Sequence, residues 1–199
     1  MPYLLKNDIS HDIRHARRVL ANAEAIGRAE KADVDVLVPA ALFHDIIVSP
    51  KNSPKAKNDA YDSAVLAGRL LKKFGYSDEK IGEVQYAIAN CSFSKGVVPD
   101  TLEAKILQDA DRLESTGAIS IMRTFGSAGS MGRPFYDEKD VFARSRKLDA
   151  RRYTLDFFYV RLMRVKDRMH TKMGKAIAKR RTRFLYEFVN ELKKELEEV

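Results

Sequence analysis

The chain has 199 residues, 45% of them hydrophobic, with 36 Lys and Arg against 28 Asp and Glu and a net charge of +8. That length and composition fit one domain with a real core and exclude a disordered chain, and no stretch approaches the roughly 18 apolar residues of a membrane span. The basic balance favours anionic partners such as nucleotides, nucleic acids or phosphoesters. The lone Cys91 excludes an internal disulfide, and MPYLLKNDIS lacks the apolar core of a signal peptide, so a cytoplasmic location is expected.

In chain order, apolar spacing predicts a first helix from Ser10 or His11 to about Gly27, with Ile13, Ala16, Leu20 and Ala23 at steps of three or four. His11 and His15 share a face of it, and Asp12 sits at its start, where a negative charge suits the helix dipole. A second helix, capped by Asp33 or Asp35, has Pro39 in or near its first turn and carries Leu42, Phe43 and the pair His44-Asp45. SPKNSPKAKN at 49–58 is a loop with Lys51, Lys55 and Lys57. A third helix spans about Asp59 to Phe74 and stops at Gly75. Ser77 caps a fourth, and Thr101 caps a fifth that runs through QDADRL to about Phe125.

Residues 126–140 hold three glycines and are expected to be a mobile surface loop. From about Asp149 onward, Phe158, Leu162, Val165, Met169, Met173 and Ile177 predict one or two long helices, with Gly174 as a candidate join. No segment shows the period-two alternation of a strand. The expected fold is therefore all-α, a helical bundle with long C-terminal helices.

Three segments carry chemistry. HDIRHARRV supplies His15, VPAALFHDII supplies His44 and Asp45, and ILQDADRLE supplies Asp109 and Asp111, of which one is the fourth ligand candidate. Two imidazoles and two carboxylates suit one divalent ion of intermediate hardness, such as Mn, Fe, Co, Ni or Zn, and Mg less well. Open positions would remain for water and substrate. Arg112, beside Asp111, is a candidate partner for substrate phosphate or for Asp109, with structural ion pairing the favoured alternative, and Lys51, Lys55 and Lys57 in the loop after His44-Asp45 are further phosphate candidates.

The order His, then His-Asp, then Asp resembles the HD superfamily of metal-dependent phosphohydrolases. HDxxHxxRV, the His-Asp helix, SFS at 92–94, LEAKILQDADRLxxxGAI and the late MHTKMGKAIAKRR resemble a small stand-alone hydrolase branch over nearly the whole chain. The resemblance implies a single HD domain over 1–199, with 149–199 as a C-terminal helical extension packed on it. It implies the metal ligands His15, His44, Asp45 and Asp111, and selects Asp111 over Asp109. With four His in the chain, the extra ligands of binuclear relatives are missing, so one metal ion is expected.

Two departures stand out. Cys91 precedes SFS where the branch usually has His. Val48 and Ser49 occupy the region where some relatives carry an acid one turn after the His-Asp pair, so Asp45 or a metal-bound hydroxide is left as the candidate base.

Two functions follow. The first is hydrolysis of a nucleotide or related small phosphoester, with pyrophosphate as a candidate product. The alternative is nucleic-acid binding by the basic C-terminal helices, where Arg161–Arg183 holds ten Lys or Arg and one acid. Few aromatics interleave with that stripe, so a solvated face over an apolar seam is favoured. No membrane partner is expected, and no oligomeric state is specified.

Overall fold

The computed structural model describes residues 12–49, 53–92 and 96–198. Among them there is α-helix and 3-10 turn and no strand, as the helical spacing requires. Eight α-helices are present among the described residues: α1 Ile13–Glu30, α2 Val34–Phe43, α3 Asp59–Lys73, α4 Asp78–Ala89, α5 Leu102–Arg112, α6 Gly117–Ser130, α7 Thr154–Val160 and α8 Lys172–Glu197. The chain divides into two compact units. One runs through Leu113 and includes His170–Gly174; the other comprises Glu114–Met169 and the chain from Lys175.

The first unit is built by capped, one-faced helices. Asp12 precedes α1 and accepts from the His15 amide at 2.9 Å. Asp33, Ser77 and Thr101 do the same for α2, α4 and α5, each satisfying a donor that the first turn leaves open. Val19, Ala23 and Ile26 of α1, Val36, Leu37 and Ala40 of α2, Val84 and Ile88 of α4 and Ile106, Leu107 and Ala110 of α5 are buried. The cap of α2 is also tied sideways. The Asp33 amide donates to Glu103 Oε1 at 3.0 Å, and Lys80 reaches the Asp33 carboxylate. The Lys80 ammonium holds that carboxyl below the usual range.

Four local expectations are corrected. Because Asp33 and not Asp35 is the cap, Pro39 lies inside α2 rather than in its first turn. The helix is only ten residues long and Pro39 is buried, so packing outweighs the lost hydrogen bond. Secondly, α2 ends at Phe43; His44 is its C-cap and Asp45 lies in the turn beyond. Thirdly, the predicted fifth helix is two. α5 stops at Arg112, a 3-10 turn covers Leu113–Ser115, and Gly117 opens α6 with φ +65°, a conformation that favours glycine. Fourthly, 126–130 are helical despite two glycines, so the irregular segment begins only after Ser130.

In the second unit, Leu155, Phe158, Leu162, Met163, Leu185 and Val189 form the core, with Phe125 and Phe188 packed on it. The predicted C-terminal helices are α7, a 3-10 segment over Leu162–Arg168, and α8. Gly174 falls in the first turn of α8 rather than at a join. Along α8, Ala178, Thr182, Leu185 and Val189 are buried while Lys175, Lys179, Arg180 and Arg183 are exposed, a solvated basic face over an apolar seam.

The segment after α6 is pinned by carboxylates. Asp140 accepts from the amides of Arg144, Ser145 and Arg146, which hold its carboxyl well below the usual range. Tyr153 donates to Asp137. The fully buried Asp156 takes a bidentate contact from Arg146 at 2.6 and 2.9 Å and the Asp149 amide at 2.6 Å. Removing one partner of such a pair strands the other. Asp156→Ala should therefore cost about 3 kcal/mol in urea unfolding, whereas Arg144→Ala, which breaks an exposed pair with Glu197, should change stability by less than about 0.5 kcal/mol.

Candidate metal centre

Four side chains from three parts of the first unit meet. His15 lies on the inner face of α1, held there by the Asp12 cap three residues before it. His44 and Asp45 follow α2, and Asp111 is in the last turn of α5. Both imidazoles are 1% exposed, and the Asp45 and Asp111 side chains are 30% exposed. His15 Nε2 and His44 Nε2 are 3.4 Å apart, with the rings edge to face. Asp45 Oδ2 is 3.5 Å from each of these nitrogens, and Asp111 Oδ1 is 3.5 Å from His15 Nε2. Donor atoms of His15, His44 and Asp111 all lie within 4.8 Å of one another.

The arrangement fits a divalent ion on its own chemistry. His44 Nδ1 is 2.8 Å from the Ala41 carbonyl, which can only accept, so the ring proton is on Nδ1 and Nε2 presents a lone pair. A second ring nitrogen and a carboxylate oxygen face that lone pair. Two donors on one ion with bonds of about 2.1 Å stand roughly 3.0–3.4 Å apart, close to the spacings found. Two buried imidazoles and two half-exposed carboxylates therefore form a site closed on one side and open on the other.

The turn carrying Asp45 is fixed from α3. The Ile47 amide donates to Ser63 Oγ at 3.1 Å, and Ser49 gives both its amide and its hydroxyl to the Asp59 carboxylate at 2.8 and 2.7 Å. Beyond it, Ser53 caps a 3-10 turn over Pro54–Asn58 on which Lys55 and Lys57 are exposed. Lys51 lies outside the described residues, as do His11 and the Phe93 and Ser94 of the SFS motif. Cys91 is buried.

The two carboxylates of QDADRL separate cleanly. Asp111 turns to the imidazoles. Asp109 is fully buried and accepts from the amides of His170 and Thr171, each at 2.8 Å, and from Thr171 Oγ1 at 2.7 Å. Thr171 Oγ1 in turn accepts from the Gly174 amide at 3.0 Å. Asp109 thus anchors the start of α8. A Cβ on Gly174 would fall 2.5 Å from Asp109 Oδ2, so only glycine fits against the carboxylate. Arg112 is 8% exposed, and its Nη1 donates to His170 Nε2 at 2.7 Å. Sequence reasoning missed Gln108 and His170 as partners of one another, and His170 as a partner of Arg112; the only signal was their place inside QDADRL and MHTKMG.

The fold and this centre define a helical domain whose His/Asp cluster has the spacing to hold a metal ion. The sequence matches the HD domain over residues 12–116. It is 34% identical to the Bacillus subtilis protein YpgQ over 193 residues, covering 94% of this chain and 84% of that protein. The crystal structure of YpgQ in complex with ADP superposes with a TM-score of 0.71 at 30% identity, over 94% of this chain and 90% of that one. An HD-superfamily hydrolase from Bacillus thuringiensis superposes with a TM-score of 0.73 at 31% identity, over 94% and 87%. The chain belongs to the HD domain family.

The geometry separates the two carboxylates experimentally. Asp111→Ala should abolish Mn²⁺ binding in calorimetry with helicity and melting temperature nearly retained. Asp109→Ala should do the opposite, lowering stability by about 3 kcal/mol through the stranded donors of α8 while leaving a measurable Mn²⁺ isotherm in the folded fraction.

Proposed function

We propose that this protein is a metal-dependent phosphohydrolase acting on a nucleotide or related small phosphoester, with release of pyrophosphate from a nucleoside triphosphate as the favoured reaction. The convergence of His15, His44 and Asp111 within 4.8 Å, in a chain of the HD domain family, carries the reading. The ADP in the YpgQ crystal structure supports a nucleotide as ligand.

His15, His44, Asp45 and Asp111 would hold one divalent ion. Bound there, the ion supplies Lewis-acid polarisation of phosphorus and a lowered pKa for water. The chain's own residues do the rest. The Ala41 carbonyl keeps His44 in the tautomer that presents Nε2. Asp45, 30% exposed and set by the Ser63 and Asp59 contacts, orients the attacking water and takes its proton. Lys51, Lys55 and Lys57 meet the negative oxygens of the substrate from the loop after the His-Asp pair. Arg112, next to Asp111, is a further phosphate partner. Charge on these groups offsets the charge of a polyphosphate where the low-dielectric wall of the site strengthens it.

None of the described helices is long and apolar enough to cross a membrane. Nucleic-acid binding is the weaker reading, because the basic residues of α8 lie over an apolar seam with few exposed aromatics between them.

Two measurements test the proposal. A panel of nucleotides and simple phosphoesters with Mn²⁺, Co²⁺, Ni²⁺ or Mg²⁺ should give turnover that a chelator stops, with pyrophosphate as product from triphosphates; turnover unaffected by chelator would refute it. Neutralising Lys51, Lys55 and Lys57 together should raise KM for a triphosphate about tenfold, and less for a monoester, with the melting temperature unchanged. An unaltered KM would take this loop out of the site.

A further inference from the structure

α3 meets the chain after the His-Asp pair at two points, each made by one hydrogen-bonding side chain. Ser63, fully buried, accepts from the Ile47 amide at 3.1 Å and donates to the Ile47 carbonyl at 3.3 Å. Asp59 accepts from the Ser49 amide at 2.8 Å on one carboxylate oxygen and from the Ser49 hydroxyl at 2.7 Å on the other. Ser63 and Asp59 are four apart on α3 and so share a face. Four helical residues rise about 6 Å, and two residues of an extended chain advance about 6.7 Å. Residues 47 and 49 therefore match residues 63 and 59 in antiparallel order, and a slip by one residue would break both contacts.

Both contacts steady the turn that carries Asp45, but they reach in different directions. Ile47 lies two residues after Asp45, so Ser63 acts on the metal side. Asp59 directly follows the 3-10 turn Pro54–Asn58, on which Lys55 and Lys57 are exposed. Its bonds to Ser49 join the chain across ten residues and set that turn against the end of the His-Asp turn. Ser53 stiffens the 3-10 turn from within: its hydroxyl accepts from the Lys55 amide at 3.2 Å and its carbonyl from the Ala56 amide at 3.1 Å. A carboxylate in the first turn of a helix suits the dipole wherever its oxygens point. The dipole does not account for both Asp59 oxygens being taken up by one residue ten positions back. Nor does charge: an anion beside lysines that meet phosphate weakens their pull. An acid at this place helps anion binding only through what it holds.

We propose that Asp59 is a positioning residue. By holding Ser49 it sets Lys55 and Lys57 relative to the metal centre, and so tunes recognition of a substrate by the number of its phosphates. The effect on substrate rests on the reading of Lys55 and Lys57 as phosphate partners; the placement of the turn does not.

The charge of Asp59 and its hydrogen bonds make opposite predictions, and Asp59→Asn separates them. Loss of a negative charge alone would lower KM for a nucleoside triphosphate. Loss of the bonds to Ser49 should raise it about fivefold with Mn²⁺ saturating, with kcat nearly unchanged, and raise it less for a monoester. Ser49→Ala, which keeps the charge and loses one bond, should move KM the same way, and Ser49→Thr, which keeps the hydroxyl, should restore it. Amide hydrogen exchange at residues 55–58, measured without metal or substrate, should quicken about fivefold in Asp59→Asn, while exchange in α1 and α5 stays as it is. With Lys55→Ala and Lys57→Ala in place, Asp59→Asn should move KM no further. Exchange unchanged at 55–58 overturns the proposal, as does a further rise of KM in the chain without the two lysines. So does a KM that falls or stays level in Asp59→Asn when removal of the lysines raises it. If removing the lysines leaves KM unaltered while exchange quickens in Asp59→Asn, the placement of the turn by Asp59 stands and the phosphate role of the lysines falls.

Discussion

Two imidazole nitrogens held 3.4 Å apart inside the first unit are the constraint on which the rest depends. Facing lone pairs repel, and burial removes the water that would relieve them. One remedy is a proton between them; the other is a cation, which the carboxylates of Asp45 and Asp111 at 3.5 Å favour. The packing of α1, α2 and α5 keeps the repulsion from relaxing. His15 lies in the same buried stripe as Val19, Ala23 and Ile26, and His44 is fixed through Nδ1 to Ala41. Donors held in place in this way would favour a bound cation through preorganisation.

The termination of α2 at Phe43 serves the same end. Inside a helix, His44 and Asp45 would point about 100° apart, and a neighbouring pair cannot face one target. Beyond the helix, the turn lets Asp45 Oδ2 lie 3.5 Å from His44 Nε2 and from His15 Nε2 alike. The turn then needs support, and α3 provides it through Ser63 and Asp59. The burial of Ser63 at 0% exposure has no packing explanation as good as its two contacts with residue 47.

Sequence carried the parts of this that depend on local chemistry. Asp33, Ser77 and Thr101 announce helix starts because their short side chains reach back to the first turn, and each does so here. His15, His44, Asp45 and Asp111 were legible as residue types that bind metal. What was not legible depends on long-range packing. The break at Thr116–Gly117 needs a left-handed residue that the pattern does not mark, since Gly126 and Gly129 lie within a helix without breaking it. Pro39 survives inside α2 because it is buried. Spacing puts Asp109 and Asp111 on different faces, but which face meets His15 is decided by how α5 packs on α1.

Asp109 also explains why so acidic a segment as QDADRLE can sit in a core. Its charge is met by two amides and a hydroxyl just before the first turn of α8, where the aligned peptide dipoles favour an anion. Arg112 bonds to the His170 ring, and Asp111 faces the imidazoles. The three charges within four residues of α5 thus have three separate tasks: anchoring α8, engaging His170, and completing the metal centre. Because consecutive residues turn by about 100° around the helix, Asp109 and Arg112, three apart, share the face that meets His170, while Asp111 turns to His15.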